Sequence, residues 1–178
     1  MEQQKSVWKA NLNNGLILSL LGIVYSLVIW IMDLTFNRVQ GYIFMVVLIV
    51  VLYFLVKSYR DNYMYGRITF GQAFGAGVVI FLYFSIISAF FSYLMYTVID
   101  PELSAKQLAF TEEMLASRNM PQQAMDAAME VQKKIMKPGI ISLMSIFGNM
   151  ITGVIMSLLV AIFVKKEGNP LLDTTENQ

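Results

Sequence analysis

Five methionines in the second half of the chain are the residues whose type and spacing come nearest to a metal site: Met114, Met120, Met125, Met129 and Met136. Thioether sulfur binds Cu(I), and Met125 and Met129 are one helical turn apart, as two ligands of one ion would be. The same positions also form the apolar stripe of an amphipathic helix, a role that methionine fills readily. We therefore expect packing rather than copper binding, and we assign no metal or cofactor.

The carboxylates that could do acid-base chemistry are Asp33, Asp100 and Glu102, which lie at the ends of apolar stretches. Histidine and cysteine are both absent, which excludes imidazole relays, thiolate nucleophiles and disulfide bonds. Serine and threonine have no evident base nearby. We assign no catalytic residue, and Asp100 is expected to cap a helix, because Asp-Pro-Glu is a typical helix start.

The elements that position these residues are apolar runs. The 178 residues are 57% hydrophobic and 14% charged, with a mean hydropathy of +0.59, which is typical of a membrane protein. The interiors of four runs carry no Asp, Glu, Lys or Arg, which counts against proton relays and ion-coupled transport. The predicted membrane spans are residues 12–32, 41–57, 68–99 and 139–164.

Small and polar residues at helical spacing predict where these spans pack. We assign helix packing in the third span to Gly71, Ala73, Gly75 and Gly77. In the fourth span we assign it to Ser145, Asn149 and Gly153. Gln72 and Asn149 are also the candidate polar groups inside the membrane, where each could hydrogen-bond a substrate or a neighbouring helix.

The distribution of lysine and arginine predicts the topology. Basic residues cluster in 1–11, in the loop 57–67 and just after residue 164, whereas the short link between the first two spans holds only Arg38. Such clusters favour the cytoplasmic side. We therefore predict an all-α integral membrane four-helix bundle with a cytoplasmic N-terminus (residues 1–11) and a cytoplasmic tail (165–178). Residues 100–138 are predicted to form an extracytoplasmic helical hairpin between spans three and four.

Three segments carry a resemblance to a known family: Asn13-Asn14-Gly15, the stretch from Ile68 to Gly77, and Lys137-Pro138-Gly139. In type and order they are similar to the small four-span proteins of the domain-of-unknown-function 4199 family, found chiefly in Bacteroidota. The resemblance covers nearly the whole chain. It implies a bacterial inner-membrane protein and brings no catalytic motif with it.

Together these observations predict a non-enzymatic scaffold or accessory subunit, embedded in membrane lipid, that forms a homo-oligomer or binds a membrane protein partner. The alternative is a channel or transporter for a small neutral solute, which Gln72 and Asn149 favour. An enzyme that acts on lipid is the third hypothesis, and it would depend on Asp33, Asp100 and Glu102. The net charge of +1 gives no indication of nucleic acid binding.

Overall fold

The chain folds into helices throughout the part that the computed structural model describes, residues 6–118 and 120–167. Helices account for 84% of the structure, and these residues form no β-strand, which confirms the all-α prediction. Lys5 and the predicted tail beyond residue 167 lie outside the described residues. In chain order the helical elements are α1 (Val7–Ile31), α2 (Arg38–Tyr63), α3 (Phe70–Leu94), a π-helical segment (Met95–Ile99), α4 (Leu103–Ala116), α5 (Gln122–Ile135) and α6 (Pro138–Val164).

Within the described ranges, four helical stretches are long and apolar enough to cross a membrane: Val7–Ile31, Arg38–Tyr63, Phe70–Ile99 and Pro138–Val164. At most 44% of the residues in their most apolar windows are buried inside the protein. Large apolar side chains therefore cover the outside of the bundle, as they do where lipid is the solvent. This arrangement indicates a membrane protein.

The first two helices are longer than the apolar runs that mark the predicted spans. α1 begins at Val7, before residue 12, and α2 continues to Tyr63, past residue 57. Apolar composition marks the part of a helix that suits lipid. The helix itself continues beyond that part until the backbone dihedral angles change. For α2 that change comes at Tyr65 and Gly66, whose φ angles are 51° and 75°.

α3 is the central helix of the bundle and packs mainly against α6 and α1. Its contact with α6 is close because glycines remove side-chain volume on both helices. A Cβ atom at Gly153 would lie 2.4 Å from Cγ of Phe81, and one at Gly77 would lie 2.5 Å from Oγ of Ser157. Phe81 is fully buried as a result.

One end of the bundle, where α2 and α6 finish and α3 begins, is tightly packed, and we call it the closed end. Ile68 and Lys166 exchange backbone hydrogen bonds of 3.0 and 2.9 Å. Nη1 of Arg60 donates to the carbonyl of Val164 over 3.1 Å. These bonds satisfy backbone groups at the helix ends and join α2, α3 and α6.

At the opposite end, which we call the α4 end, the chain leaves α3 through the π-helical segment and turns into α4. Asp100 N–H donates to Met95 O over 2.8 Å, so the wider helical turn ends at Asp100. α4 begins at Leu103, with Glu102 rather than Asp100 in the position before the helix. The carboxylate of Asp100 therefore does not cap α4 as predicted but bonds elsewhere. α5 packs against α4.

Candidate functional site

A cavity of about 670 Å³ lies between α1, α2, α3 and α6, at the α4 end of the bundle. Leu103, Gln107 and Phe110 of α4 contribute to its lining. Its volume is in the range of pockets that hold small molecules. This cavity is the candidate functional site.

The cavity exists because α2 is buried only along its second half. Its buried residues run from Leu48 to Tyr59, and they pack into the core beside the closed end. In the first half of α2, Gln40, Gly41 and Phe44 line the cavity instead. The helices thus form a core at the closed end and separate around a space towards the α4 end.

Aromatic rings form much of the cavity wall. Tyr25 of α1 stacks on Phe44 of α2 with ring centroids 4.7 Å apart. Phe36, in the link between these helices, stacks on Phe110 of α4 at 5.2 Å. Stacked pairs of this kind stabilise contacts beyond the area that they bury. They fix the positions of α1, α2 and α4 around the space.

Two tyrosine hydroxyls in the wall already have partners. The Tyr25 hydroxyl lies 2.9 Å from the carbonyl oxygen and 3.0 Å from the side-chain oxygen of Gln40, to one of which it donates. The Tyr96 hydroxyl donates to Oε1 of Gln107 over 2.6 Å. These bonds connect α1 to α2 and the π-helical segment to α4.

Other polar groups in the lining have no partner. The side chains of Ser26, Thr35, Ser88, Ser92 and Asn149 make no hydrogen bond to any residue in 6–118 and 120–167. By contrast, the Ser145 hydroxyl, also in the lining, donates to the carbonyl of Ser142 over 2.7 Å. Polar groups in an apolar surrounding are stabilised by a hydrogen-bonding partner. The free hydroxyls and the Asn149 amide can therefore bind a polar group that enters the cavity.

Of the described residues that line the cavity, one is charged, namely Arg38, the first residue of α2. Its Nη2 donates to Sδ of Met114 on α4 over 3.0 Å. Within the described ranges no carboxylate forms an ion pair with it. The electrostatic character of the site is therefore weakly positive at its edge and uncharged inside.

Asp100 connects three helices beside the cavity. Its Oδ2 accepts hydrogen bonds from Nε1 of Trp30 over 3.1 Å and from Nζ of Lys106 over 2.9 Å. The hydrogen bond from the Lys106 ammonium, followed by that from Trp30, lowers the pKa of Asp100, and the same carboxylate raises the pKa of Lys106. The ends of α1 and α4 are thereby joined to the chain that follows α3.

The residues that the sequence singled out fall into three places. Asn149 and Ser145 line the cavity. Ala73, Gly77 and Gly153 are buried in the core, with Gly77 and Gly153 at the contact between α3 and α6. Gly71, Gln72 and Gly75 lie in a third place, away from the cavity and from that contact.

The third group is formed by Gly71, Gln72 and Gly75, which line a small depression near the start of α1, beside Val7 and Tyr59. A Cβ atom at either glycine would meet nothing within 4 Å. The side chain of Gln72 accepts a hydrogen bond from the backbone N–H of Thr69 over 3.0 Å, as part of a capping box that starts α3.

Sequence reasoning did not identify the polar contact between α1 and α2. Nδ2 of Asn14 lies 3.0 Å from Oδ1 of Asn11 and 3.4 Å from the carbonyl of Leu55, and Asn11 is fully buried. Asn11 was placed in the polar N-terminal segment before the first span. The three-residue spacing of the two asparagines was the available signal, because it places both on one face of a helix.

The methionines do not share one environment. Met114 accepts the hydrogen bond from Arg38, Met129 and Met136 are buried, and Met120 is exposed. No group of three or more His, Cys, Asp or Glu side chains that could hold a metal ion occurs in the part of the chain that the structure describes.

Comparison with known proteins gives a match at the level of the family. The model of a family described as "Protein of unknown function (DUF4199)" matches residues 13–166. No curated protein matches the chain, and no solved structure matches it.

Proposed function

Because the chain belongs to the DUF4199 family, whose description gives no activity, we propose its function from the cavity: this is a non-enzymatic membrane protein that binds a small molecule between its four long helices. The observation that carries the proposal is the combination of aromatic walls with five polar side chains that have no partner among the described residues. Such a lining suits a ligand that is largely apolar and carries one or a few polar groups.

The proposal favours a binding protein or carrier over an open pore. The cavity stops at the core of the closed end, where Leu18, Leu52 and Ile80 are buried. A continuous passage would require α2 or α6 to move away from α3. If solute crosses the membrane through this protein, it does so by exposing the cavity to each side in turn.

For the topology we propose the bacterial inner membrane, with both termini in the cytoplasm. The closed end carries Arg60, Lys165 and Lys166, and an excess of lysine and arginine marks the cytoplasmic side. Residues 100–138 then form an extracytoplasmic helical hairpin, and the cavity lies nearer the outer surface.

A second proposed function is self-association, or binding of a membrane partner, through the start of α3. The observation that favours it is the open space at Gly71 and Gly75, which another helix backbone can approach closely. Gly71→Leu and Gly75→Leu should reduce the oligomeric mass measured in lipid nanodiscs. A wild-type protein that is strictly monomeric in its native lipid would exclude this function.

The test of the cavity is native mass spectrometry of the protein extracted directly into lipid nanodiscs. We expect a bound small molecule on the wild type that is lost in Asn149→Phe, since this change removes the amide and the larger ring occupies part of the cavity. Ile151→Phe is the matched control, because Ile151 is on the same helix and is 65% exposed on the outside of the bundle. Equal retention by both variants would show that the molecule binds elsewhere.

A further inference from the structure

The lining of the cavity carries a positive charge at its edge and is largely apolar further in, and this arrangement specifies a class of ligand. We propose that it holds an anionic amphiphile, with a carboxylate or phosphate head at Arg38 and an apolar body between the aromatic rings. This inference rests on the proposed ligand-binding function and adds the chemistry of the ligand.

The charge of the head follows from the surroundings of Arg38. A guanidinium offers five N–H donors, and the one hydrogen bond of Arg38 within the described residues goes to the weak sulfur acceptor of Met114. Among the residues that the structure describes, no Asp or Glu lines the cavity, and the nearby carboxylate of Asp100 is bound by Trp30 and Lys106. Arg38 thus has donors to spare for a carboxylate or phosphate, which arginine binds through two parallel hydrogen bonds.

The apolar body follows from what lies further along α2 and across from it. Phe44 is six residues beyond Arg38, about 9 Å along the helix axis, and Phe84 and Phe91 of α3 also line the space. These rings suit an alkyl chain or a ring system. The Asn149 amide, which has no partner among the described residues, can hydrogen-bond one additional polar group on that body.

The location of Arg38 agrees with this orientation of the ligand. It is the first residue of a helix that is long and apolar enough to cross a membrane. Its guanidinium therefore lies at the depth of lipid headgroups, with the aromatic walls at the depth of the acyl chains. An amphiphile can enter the cavity without moving its charge into the apolar region.

The test uses energy transfer from tryptophan to 11-(dansylamino)undecanoic acid, with the full-length protein in detergent micelles. The chain has two tryptophans, and Trp30 lines the cavity. In a Trp8→Phe background, Trp30 is the only donor. We expect saturable transfer to the acid, and weak binding of the uncharged analogue 11-(dansylamino)undecanol.

Two arginine variants in this background test the charge. Arg38→Gln should weaken binding of the acid roughly tenfold or more, because a charge-assisted hydrogen bond is lost. Arg118→Gln removes the same charge beyond the end of α4, from an exposed residue that does not line the cavity, and should change nothing. Equal affinities of wild type and Arg38→Gln would overturn the proposed charge.

Asn149→Phe separates a ligand in the cavity from a lipid on the surface. Loss of transfer in this variant supports the proposal. Binding that depends on Arg38 but persists in Asn149→Phe would mean that the arginine contacts an ordinary headgroup, and it would overturn the proposal. If Asn149→Phe abolishes binding while Arg38→Gln does not, the cavity binds a ligand and only the anionic class is wrong.

Competition distinguishes the two kinds of head. Unlabelled dodecanoate and dodecyl phosphate are titrated against the dansyl acid, with dodecanol as the uncharged control. Displacement by either anion at a lower concentration than dodecanol supports the proposal, and the stronger competitor identifies the preferred head. Equal displacement by all three would contradict it.

Discussion

Replacing Gly153 with alanine should destabilise the contact between α3 and α6, whereas the same change at Gly148, on the same helix, should not. The added Cβ at Gly153 would lie 2.4 Å from Cγ, 2.5 Å from Cβ and 2.7 Å from Cδ1 of Phe81. At Gly148 the added Cβ would meet nothing within 4 Å. The two substitutions therefore differ in packing and not in chemistry.

The magnitude follows from how little Phe81 can move. Its side chain is fully buried, and its ring also packs edge-on against Phe84 at 5.5 Å. Adding a methyl group to a packed core of this kind costs about 1–3 kcal/mol. Alanine is favoured over glycine in a helix by about 1 kcal/mol, and this gain is common to both variants. Gly153→Ala should therefore be about 1–3 kcal/mol less stable than Gly148→Ala.

The free energies of unfolding can be compared by titrating the protein in mixed micelles with sodium dodecyl sulfate and following helicity by circular dichroism. A double-mutant cycle isolates the cause, because Gly153→Ala should cost less in a Phe81→Ala background, which lacks Cγ and Cδ1, than it does in the wild type. Equal stabilities of the two alanine variants would refute the close contact between Gly153 and Phe81.

Two further predictions concern the ends of the bundle. Because the pKa of Asp100 is lowered in the folded protein, its carboxylate stabilises the fold above the ordinary value of 3.8 and loses this effect as the pH falls through the lowered value. Asp100→Asn should therefore be less stable than wild type at neutral pH and approach it in acid, measured by thermal unfolding at a series of pH values; a constant difference would contradict this. Asn14→Ala should lower the free energy of unfolding by about 1 kcal/mol, since it removes the hydrogen bond to the carbonyl of Leu55. Asn62→Ala, on the exposed end of α2, is the control. Equal losses in the two variants would exclude a structural role for the buried amide.

The sequence was sufficient to predict the four long apolar helices, because the length of an apolar run follows directly from the thickness of the bilayer. It was less informative about where helices end. The start of α1 at Val7 lies in a polar segment, and polar residues that bond within a helix look like loop residues in a composition profile. Asn11 is such a residue, since its buried amide donates to the carbonyl of Val7 over 3.0 Å.

The cavity could not be predicted, because it depends on how four helices are rotated and tilted relative to one another. Asn149 was singled out as a polar group at membrane depth, and Arg38 was treated as part of a short link. Their presence in one lining follows only from the separation of α2 from α3 near the α4 end. Aromatic residues such as Tyr25 and Phe44 gave no signal, since aromatic residues occur in all four apolar runs.

The most direct test of a cavity that is accessible from the α4 end is chemical labelling of single introduced cysteines. The sequence contains no cysteine, so an introduced one is labelled without background from the rest of the chain. Ser92 lines the cavity, whereas Ser157 is 1% exposed and lies against Gly77 in the core. A small, membrane-impermeant thiol reagent is added outside intact cells that express Ser92→Cys or Ser157→Cys. We expect Ser92→Cys to react and Ser157→Cys to stay unmodified. An unreactive Ser92→Cys, or equal reaction at both positions, would contradict a cavity that is accessible from the α4 end.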